Sequence, residues 1–213
     1  MQYRCTALSI AGFIQQLAVG YVSRGYHFYV TGRVPLGKDP QAIDQKLIEK
    51  YDIARSKWAR ARAKRNGRAG VQYLRHEDFF IILATHGQHR FFEEEASVIR
   101  DARETPIRYA SYAISYRGGH AHVRIDQETF KDLKAYFLEL AVHRSKENLE
   151  NQLASLPFEP YAPIRSQLLI LVRHINERRR AAGFEPLSES CLRLHRRIIK
   201  PFGNAFPPHR QAI

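Results

Sequence analysis

The residues Tyr116-Arg117-Gly118-Gly119-His120-Ala121-His122-Val123-Arg124-Ile125 concentrate the chemistry that this chain can do. Gly-Gly between alternating residues reads as a two-residue hairpin turn. On a strand, positions i and i+2 share a face. His120, His122 and Arg124 therefore look one way, and Ala121, Val123 and Ile125 look the other. One side suits a core, and the other suits a divalent metal or a phosphate. With the turn at Gly118-Gly119, Arg117 stands opposite His120, Ser115 opposite His122 and Ala113 opposite Arg124. The strand Tyr26–Val34 repeats the style, with His27, Tyr29, Thr31 and Arg33 on one face. An open sheet face so composed suits a single-stranded nucleic acid. Arginines take phosphates, and Tyr and His stack on bases.

A second concentration of charge lies at 54–68. Arg55, Lys57, Arg60, Arg62, Lys64, Arg65 and Arg68 are interrupted by small alanines, by Trp58 and by no acidic residue. On a helix, residues 57, 60, 64 and 68 recur every three or four positions and form a basic ridge. Such a ridge can follow a phosphate backbone and makes binding salt-dependent. Arg178-Arg179-Arg180 and the stretch Arg193–Arg197 offer a second basic surface.

The His-Ala-His strand in a strongly basic chain resembles the metal-binding strand of the HUH single-strand endonucleases (replication initiators, relaxases and single-tyrosine transposases). The resemblance covers Tyr116–Ile125. It implies a divalent ion, Mg or Mn, on His120 and His122 with one carboxylate. Glu94, or its neighbours Glu93 and Glu95, is the candidate third ligand by proximity in sequence. It also implies a tyrosine nucleophile on a later helix, which becomes joined to a 5′ phosphate. Tyr136 follows on the next helix, and Tyr161 is the second candidate. Position 139, three after Tyr136, is Glu where the replication-initiator pattern has Lys. The resemblance thus implies a DNA-nicking and joining enzyme of a mobile element or plasmid, active in transposition or replication initiation. The basic faces alone support a non-catalytic DNA- or RNA-binding module. A third reading is a basic subunit docked on an acidic protein or nucleoprotein assembly.

Composition frames these readings. Lys and Arg number 34 against 21 Asp and Glu, for a formal charge of +13 over 213 residues. Such a surplus attracts polyanions, and single-stranded or hairpin DNA is the expected partner. A homodimer stays open. No apolar run has the length of a membrane span, so no membrane partner is expected. Cys5 and Cys191 stand alone, which excludes a zinc ribbon or disulfide scaffold and fits a reducing cytoplasm. The chain lacks a Gly-x-x-x-x-Gly-Lys loop, a Gly-x-Gly-x-x-Gly turn and a Gly-x-Ser-x-Gly elbow.

The elements that must hold these residues follow from capping and periodicity. A helix is expected over Ser9–Ser23, ending at Gly25. Asp39-Pro40 opens another, with Asp as cap and Pro at the first helical position. Strands are expected at Val71–Arg75, Phe79–Thr85, Ile107–Arg117 and His120–Ile125. The turn His76-Glu77-Asp78 is followed by a strand and then a loop with His86 and His89. Asp126 caps a helix to about His143. Helices follow at Ser145–Leu156 and from Pro163 to about Ala182, stopped by Gly183. The expected fold is α+β: a five-stranded antiparallel sheet covered by helices on one face. Residues 1–144 would form this core, 145–200 a C-terminal helical layer and 201–213 a flexible tail.

Overall fold

The computed structural model describes residues 3–203, and of Lys57 the backbone alone. The last part of the expected tail, 204–213, lies outside the described residues. The fold is α+β and divides into two compact units. The first comprises residues 3–106, the hairpin tip 115–121 and 199–203; the second comprises 107–114 and 122–198.

In the first unit, α1 (Ile10–Gln15) opens on Ser9, whose hydroxyl accepts from the Gly12 N–H at 3.1 Å. It runs into a π-helical turn, Gln16–Tyr21, and a 3₁₀ turn, Val22–Arg24. Gly25, at φ +92°, ends the run in the left-handed conformation. The expected single helix Ser9–Ser23 is thus three helical types in succession. β1 (Phe28–Arg33), α2 (Pro40–Lys50), α3 (Lys57–Arg65), β2 (Val71–His76), β3 (Phe79–Ala84), α4 (Arg90–Glu94) and β4 (Arg100–Asp101) follow. Asp39 caps α2 as expected, accepting from the Gln41 and Ala42 amides.

Four strands form an antiparallel sheet in the order β2-β3-β1-β4. Pairing puts Tyr73 beside Ile82 and Ile82 beside Val30. That face packs against Tyr51, Leu47 and Ile48 from the α2 end and Phe91 and Phe92 from α4. The opposite face carries Phe79, whose ring lies 5.9 Å from that of Phe13 on α1. Both faces are therefore covered, not one. Apolar residues occupy alternate positions on both sides of β3 (Ile81 and Leu83 against Ile82 and Ala84), so burial on both faces is the stable solution.

β5 (Ile107–Tyr109) pairs with β6 (Tyr112–Arg117), which neighbours β7 (His120–Ile125) in a three-stranded sheet; its residues 107–114 and 122–125 belong to the second unit and the tip 115–121 to the first. The expected strand Ile107–Arg117 is broken at Ala110 and Ser111, both left-handed at φ +45° and +67°. In place of the five expected strands, the described residues form seven, in sheets of four and three. Helices α5 (Gln127–Leu140), α6 (Lys146–Ala154) and α7 (Ala162–Ala181) complete the second unit. Helix α5 packs on α7. Two amides on α7 bind the chain around them. Gln167 accepts from the Ile125 N–H (2.8 Å) and donates to its carbonyl (3.1 Å). Asn176 does the same with Leu187, at 2.7 and 3.0 Å. Each thus acts as the missing strand partner for one residue.

Candidate nucleic-acid interface

The basic run folds locally for clear reasons. Ser56 caps α3, its hydroxyl accepting from the Ala59 N–H at 3.2 Å. Alanines keep the helix regular without demanding a deep seat. Arg62, Lys64, Arg65 and Arg68 are exposed, and Arg60 is half-buried. Trp58 is 83% exposed, so it is no core residue. Arg55 is already engaged: its guanidinium donates to Asp52, with Nε 2.7 Å from Oδ2. The run has no internal carboxylate, but one reaches it from outside.

Beside α3 lies a groove of about 800 Å³. Among the described residues its cations are Arg4, Arg24, Arg55, Arg60 and Lys64, and no carboxylate lines it. Arg4, Arg24, Arg60 and Lys64 form no ion pair among the described residues. Arg4, Arg24 and Lys64 are exposed and stand at its rim. Its deeper wall is polar and aromatic. Tyr21 is 6% exposed and Gln72 is 6% exposed. The Tyr3 hydroxyl lies 3.0 Å from Gln72 Oε1 and 2.9 Å from the Tyr73 carbonyl, and accepts from the Tyr73 amide at 3.0 Å. Burial raises the pKa of the Tyr3 and Tyr21 hydroxyls, so both stay protonated donors at neutral pH. The π-helical turn contributes Gln16, Gly20 and Tyr21 to this wall. Such a turn widens the helix by a residue and re-aims side chains. Tyr26 stands with its ring 5.8 Å from that of Tyr21, and Gly70 lets its hydroxyl approach. A Cβ at position 70 would lie 3.1 Å from that oxygen.

Chain order hides this site. Tyr3, Gln72 and Arg60 meet only through the sheet and the N-terminal segment, which pairs with β2. The Arg75 N–H donates to the Cys5 carbonyl (2.8 Å), and the Ala7 N–H to the Arg75 carbonyl (2.7 Å). The segment is fastened by a buried network. Asp44 accepts from Arg75 Nε (2.7 Å), Arg75 Nη2 (2.8 Å) and the Tyr73 hydroxyl (2.6 Å). Among the groove residues, sequence reasoning singled out only those of the basic run. Aromatic residues at Tyr3, Tyr21 and Tyr26 amid Arg4 and Arg24 were the available signal.

A neighbouring depression of about 450 Å³ is lined by Arg55, Arg68, Arg90 and His89, but also by Asp52 and Glu93. His89 caps α4, its Nδ1 accepting from the Phe91 N–H at 3.1 Å. Burial, then the charges of Arg55 and Arg90, hold its pKa below the usual imidazole value. His86 is exposed.

The hairpin has the expected turn: Gly118 and Gly119 lie at φ +56° and +84°, as a type I′ turn requires. His120 is exposed, its Nδ1 2.9 Å from the Gly118 carbonyl. Arg117 is exposed, whereas His122 and Arg124 are half-buried. Ser115 and Ala113 are buried, so the polar face of the hairpin is not open along its length.

The β1 platform is also closed. Tyr29 is 2% exposed, and its hydroxyl lies 3.1 and 3.2 Å from the Thr105 and Pro106 carbonyls. It is a core residue and offers no ring to a base. Arg33 pairs with Asp78 at 2.7 Å and lies over the Phe79 ring. The His27 ring stacks on Tyr116 with centroids 4.1 Å apart, and its Nε2 is buried without a hydrogen bond. Burial first, then Arg103, lowers its pKa.

Among the described residues, no group of three His, Cys, Asp or Glu side chains stands close enough to hold a metal ion. Glu94 pairs with Lys50 at 2.9 Å, which lowers its pKa. Glu95 accepts from the Tyr51 hydroxyl, whose pKa is pushed up to about 12, first by burial. The exposed Tyr136 hydroxyl donates to Gln152 at 3.0 Å. Tyr161 precedes α7 under the Arg196 guanidinium, 4.6 Å from its ring centroid, and burial raises its pKa. Arg179, read as part of a basic surface, is 3% exposed. It donates to the carbonyls of Glu185 (2.7 Å), Ala141 (2.7 Å) and Arg144 (3.1 Å). Arg193 donates to the Phe158 carbonyl and to Glu159.

Among the described residues, no helix is long and apolar enough to cross a membrane. No protein-family model matches the chain, and no curated protein matches it.

Proposed function

We propose that this protein is a nucleic-acid-binding module whose phosphate-binding surface is the groove beside α3 and the exposed side of that helix. The observation that supports this reading is the groove's charge: among the described residues five cations line it, four of them outside any ion pair, and no carboxylate does. Like charges gathered at one rim repel one another, and a polyanion relieves that repulsion while releasing its counterions. The surplus of +13 over the whole chain adds long-range attraction.

The test is anisotropy of a labelled single-stranded oligonucleotide across a salt series. Four phosphate contacts at about 0.7 each predict a log–log slope of about −3. The variant Arg60→Ala/Lys64→Ala should lose about half of that slope. Absence of binding at low salt, or binding that ignores salt, overturns the reading.

A second reading, metal-assisted nicking of single-stranded DNA, draws on the hairpin. Its type I′ turn begins a strand with His120 and His122 on one face. On this reading Mg or Mn would be held by those imidazoles, and the Tyr136 or Tyr161 oxygen would bond to the 5′ phosphorus as the bond from phosphorus to the 3′ oxygen breaks, the tyrosine proton ending on the 3′ hydroxyl that leaves. A raised hydroxyl pKa at Tyr161 works against it as a nucleophile. Incubation with single-stranded and hairpin DNA and manganese should give a covalent protein–DNA adduct, lost in His120→Ala/His122→Ala. Unchanged oligonucleotide and no adduct reject this reading and leave the first intact.

A further inference from the structure

The groove is graded from rim to floor. Exposed Arg4, Arg24 and Lys64 stand outside, Arg55 and Arg60 are half-buried like Gln16 and Tyr26, and the most buried lining residues, Tyr21 and Gln72, are neutral. A phosphate lodged between Tyr21 and Gln72 would trade its hydration for neutral side chains. A nucleobase meets what it needs there. Its edge finds amide and hydroxyl groups, and its face finds a tyrosine ring. The Gln72 amide, its Oε1 3.0 Å from the Tyr3 hydroxyl, brings both donor and acceptor capacity to the floor. Gly20 lets the Gln16 amide fold back over the π-helical turn, since a Cβ there would lie 2.7 Å from Gln16 Nε2. The volume of about 800 Å³ is on the scale of small-molecule sites.

We infer that the groove lodges unpaired nucleotides of a single-stranded nucleic acid, a base lying against Tyr26, Gln16 and Gln72 and the flanking phosphates on Arg60 and Lys64. The inference rests on the nucleic-acid-binding reading and adds to it the strandedness of the ligand and the place of its base. DNA and RNA share the recognised groups, so both belong in the test.

The experiment compares a labelled single strand, as DNA and as RNA, with the same sequence in a blunt duplex. The single strands should bind at least tenfold more tightly. Tyr26→Leu should weaken single-strand binding by about 5- to 100-fold, the loss of one stacked base. It should leave the salt slope and duplex binding unchanged. Wild-type protein irradiated with a strand carrying 4-thiouracil should crosslink within residues 16–26 or at Tyr3 or Gln72; this readout needs no substitution. Equal binding of strand and duplex, with crosslinks elsewhere and Tyr26→Leu silent, overturns this inference while leaving the charge-based reading standing. Failure of every nucleic acid to bind overturns both. Weaker DNA than RNA binding, or the reverse, with the crosslink in place, supports the inference and assigns the sugar.

Discussion

Replacing Asp44 with alanine removes the acceptor at the centre of a buried network. Its carboxylate takes two bonds from Arg75 and one from Tyr73, and both ion-pair side chains are under one-tenth exposed (8% and 9%). The guanidinium would be left in a dry site with Glu77 O (2.7 Å) and Thr6 Oγ1 (3.2 Å) as its remaining acceptors. Stranding one member of such a pair costs about 3–5 kcal/mol. The two surviving bonds place this case near about 3 kcal/mol. Asp44→Asn keeps an acceptor but loses the charge and should cost about 2 kcal/mol. The double variant Asp44→Leu/Arg75→Met strands no charge. It should be more stable than Asp44→Ala, with a coupling of at least about 2 kcal/mol. Urea titration gives the free energies. Hydrogen exchange at the Arg75 and Ala7 amides, which tie the N-terminal segment to β2, localises the loss. If Asp44→Ala stays within about 1 kcal/mol of the parent, or the double variant costs the sum of Asp44→Leu and Arg75→Met measured singly, the network holds nothing and the reasoning is wrong.

Arg179→Leu should destabilise the second unit by about 2–4 kcal/mol because three carbonyls lose a charged donor. Arg178→Ala and Arg180→Ala, both exposed, should stay within about 0.5 kcal/mol in the same urea titrations. His27 and His89 have folded pKa values below that of a free imidazole, so the unfolded chain binds protons more readily. Stability is therefore full above about pH 6.5 and falls as the pH drops through the window down to the folded values. A urea midpoint that rises between pH 7 and pH 5 would contradict those shifts. Gly118→Ala and Gly119→Ala should each cost about 1–2 kcal/mol through left-handed strain, with Asn better tolerated at 118, as read by thermal melts.

Short-range chemistry was legible in the residues. Asp39-Pro40, Asp126 and Ser145 start helices, Gly25 and Gly183 follow helix ends, and Gly118-Gly119 makes the hairpin turn. The misses have a common cause. Alternation along β1 says which residues share a face but not whether a helix covers it, so Tyr29 read as a stacking platform and is a core residue. Ala110-Ser111 turns the chain without Gly or Asn to mark it, which hid one hairpin inside an expected strand. A π-helical turn leaves no compositional trace. In Arg178-Arg179-Arg180 the middle residue is buried because helix phase points it at three carbonyls, whereas composition treats all three alike. The basic helix was visible as a run, but its groove depends on residues brought together across some seventy positions, such as Tyr3 and Gln72.

The pairing of Cys5–Ala7 along β2 has a consequence for solubility. β2 stands at the end of its sheet, and an uncovered end strand is a template for other chains. The same few residues cover that template and carry Tyr3 and Arg4 to the groove. Peeling of the segment would therefore disassemble the ligand site and uncover an aggregation-prone border in one event. By mass action, an oligonucleotide held in the groove opposes that peeling by RT ln(1 + [L]/Kd), about 2.7 kcal/mol at a hundredfold excess over Kd. A ligand of this groove would then also act as a guard against self-association.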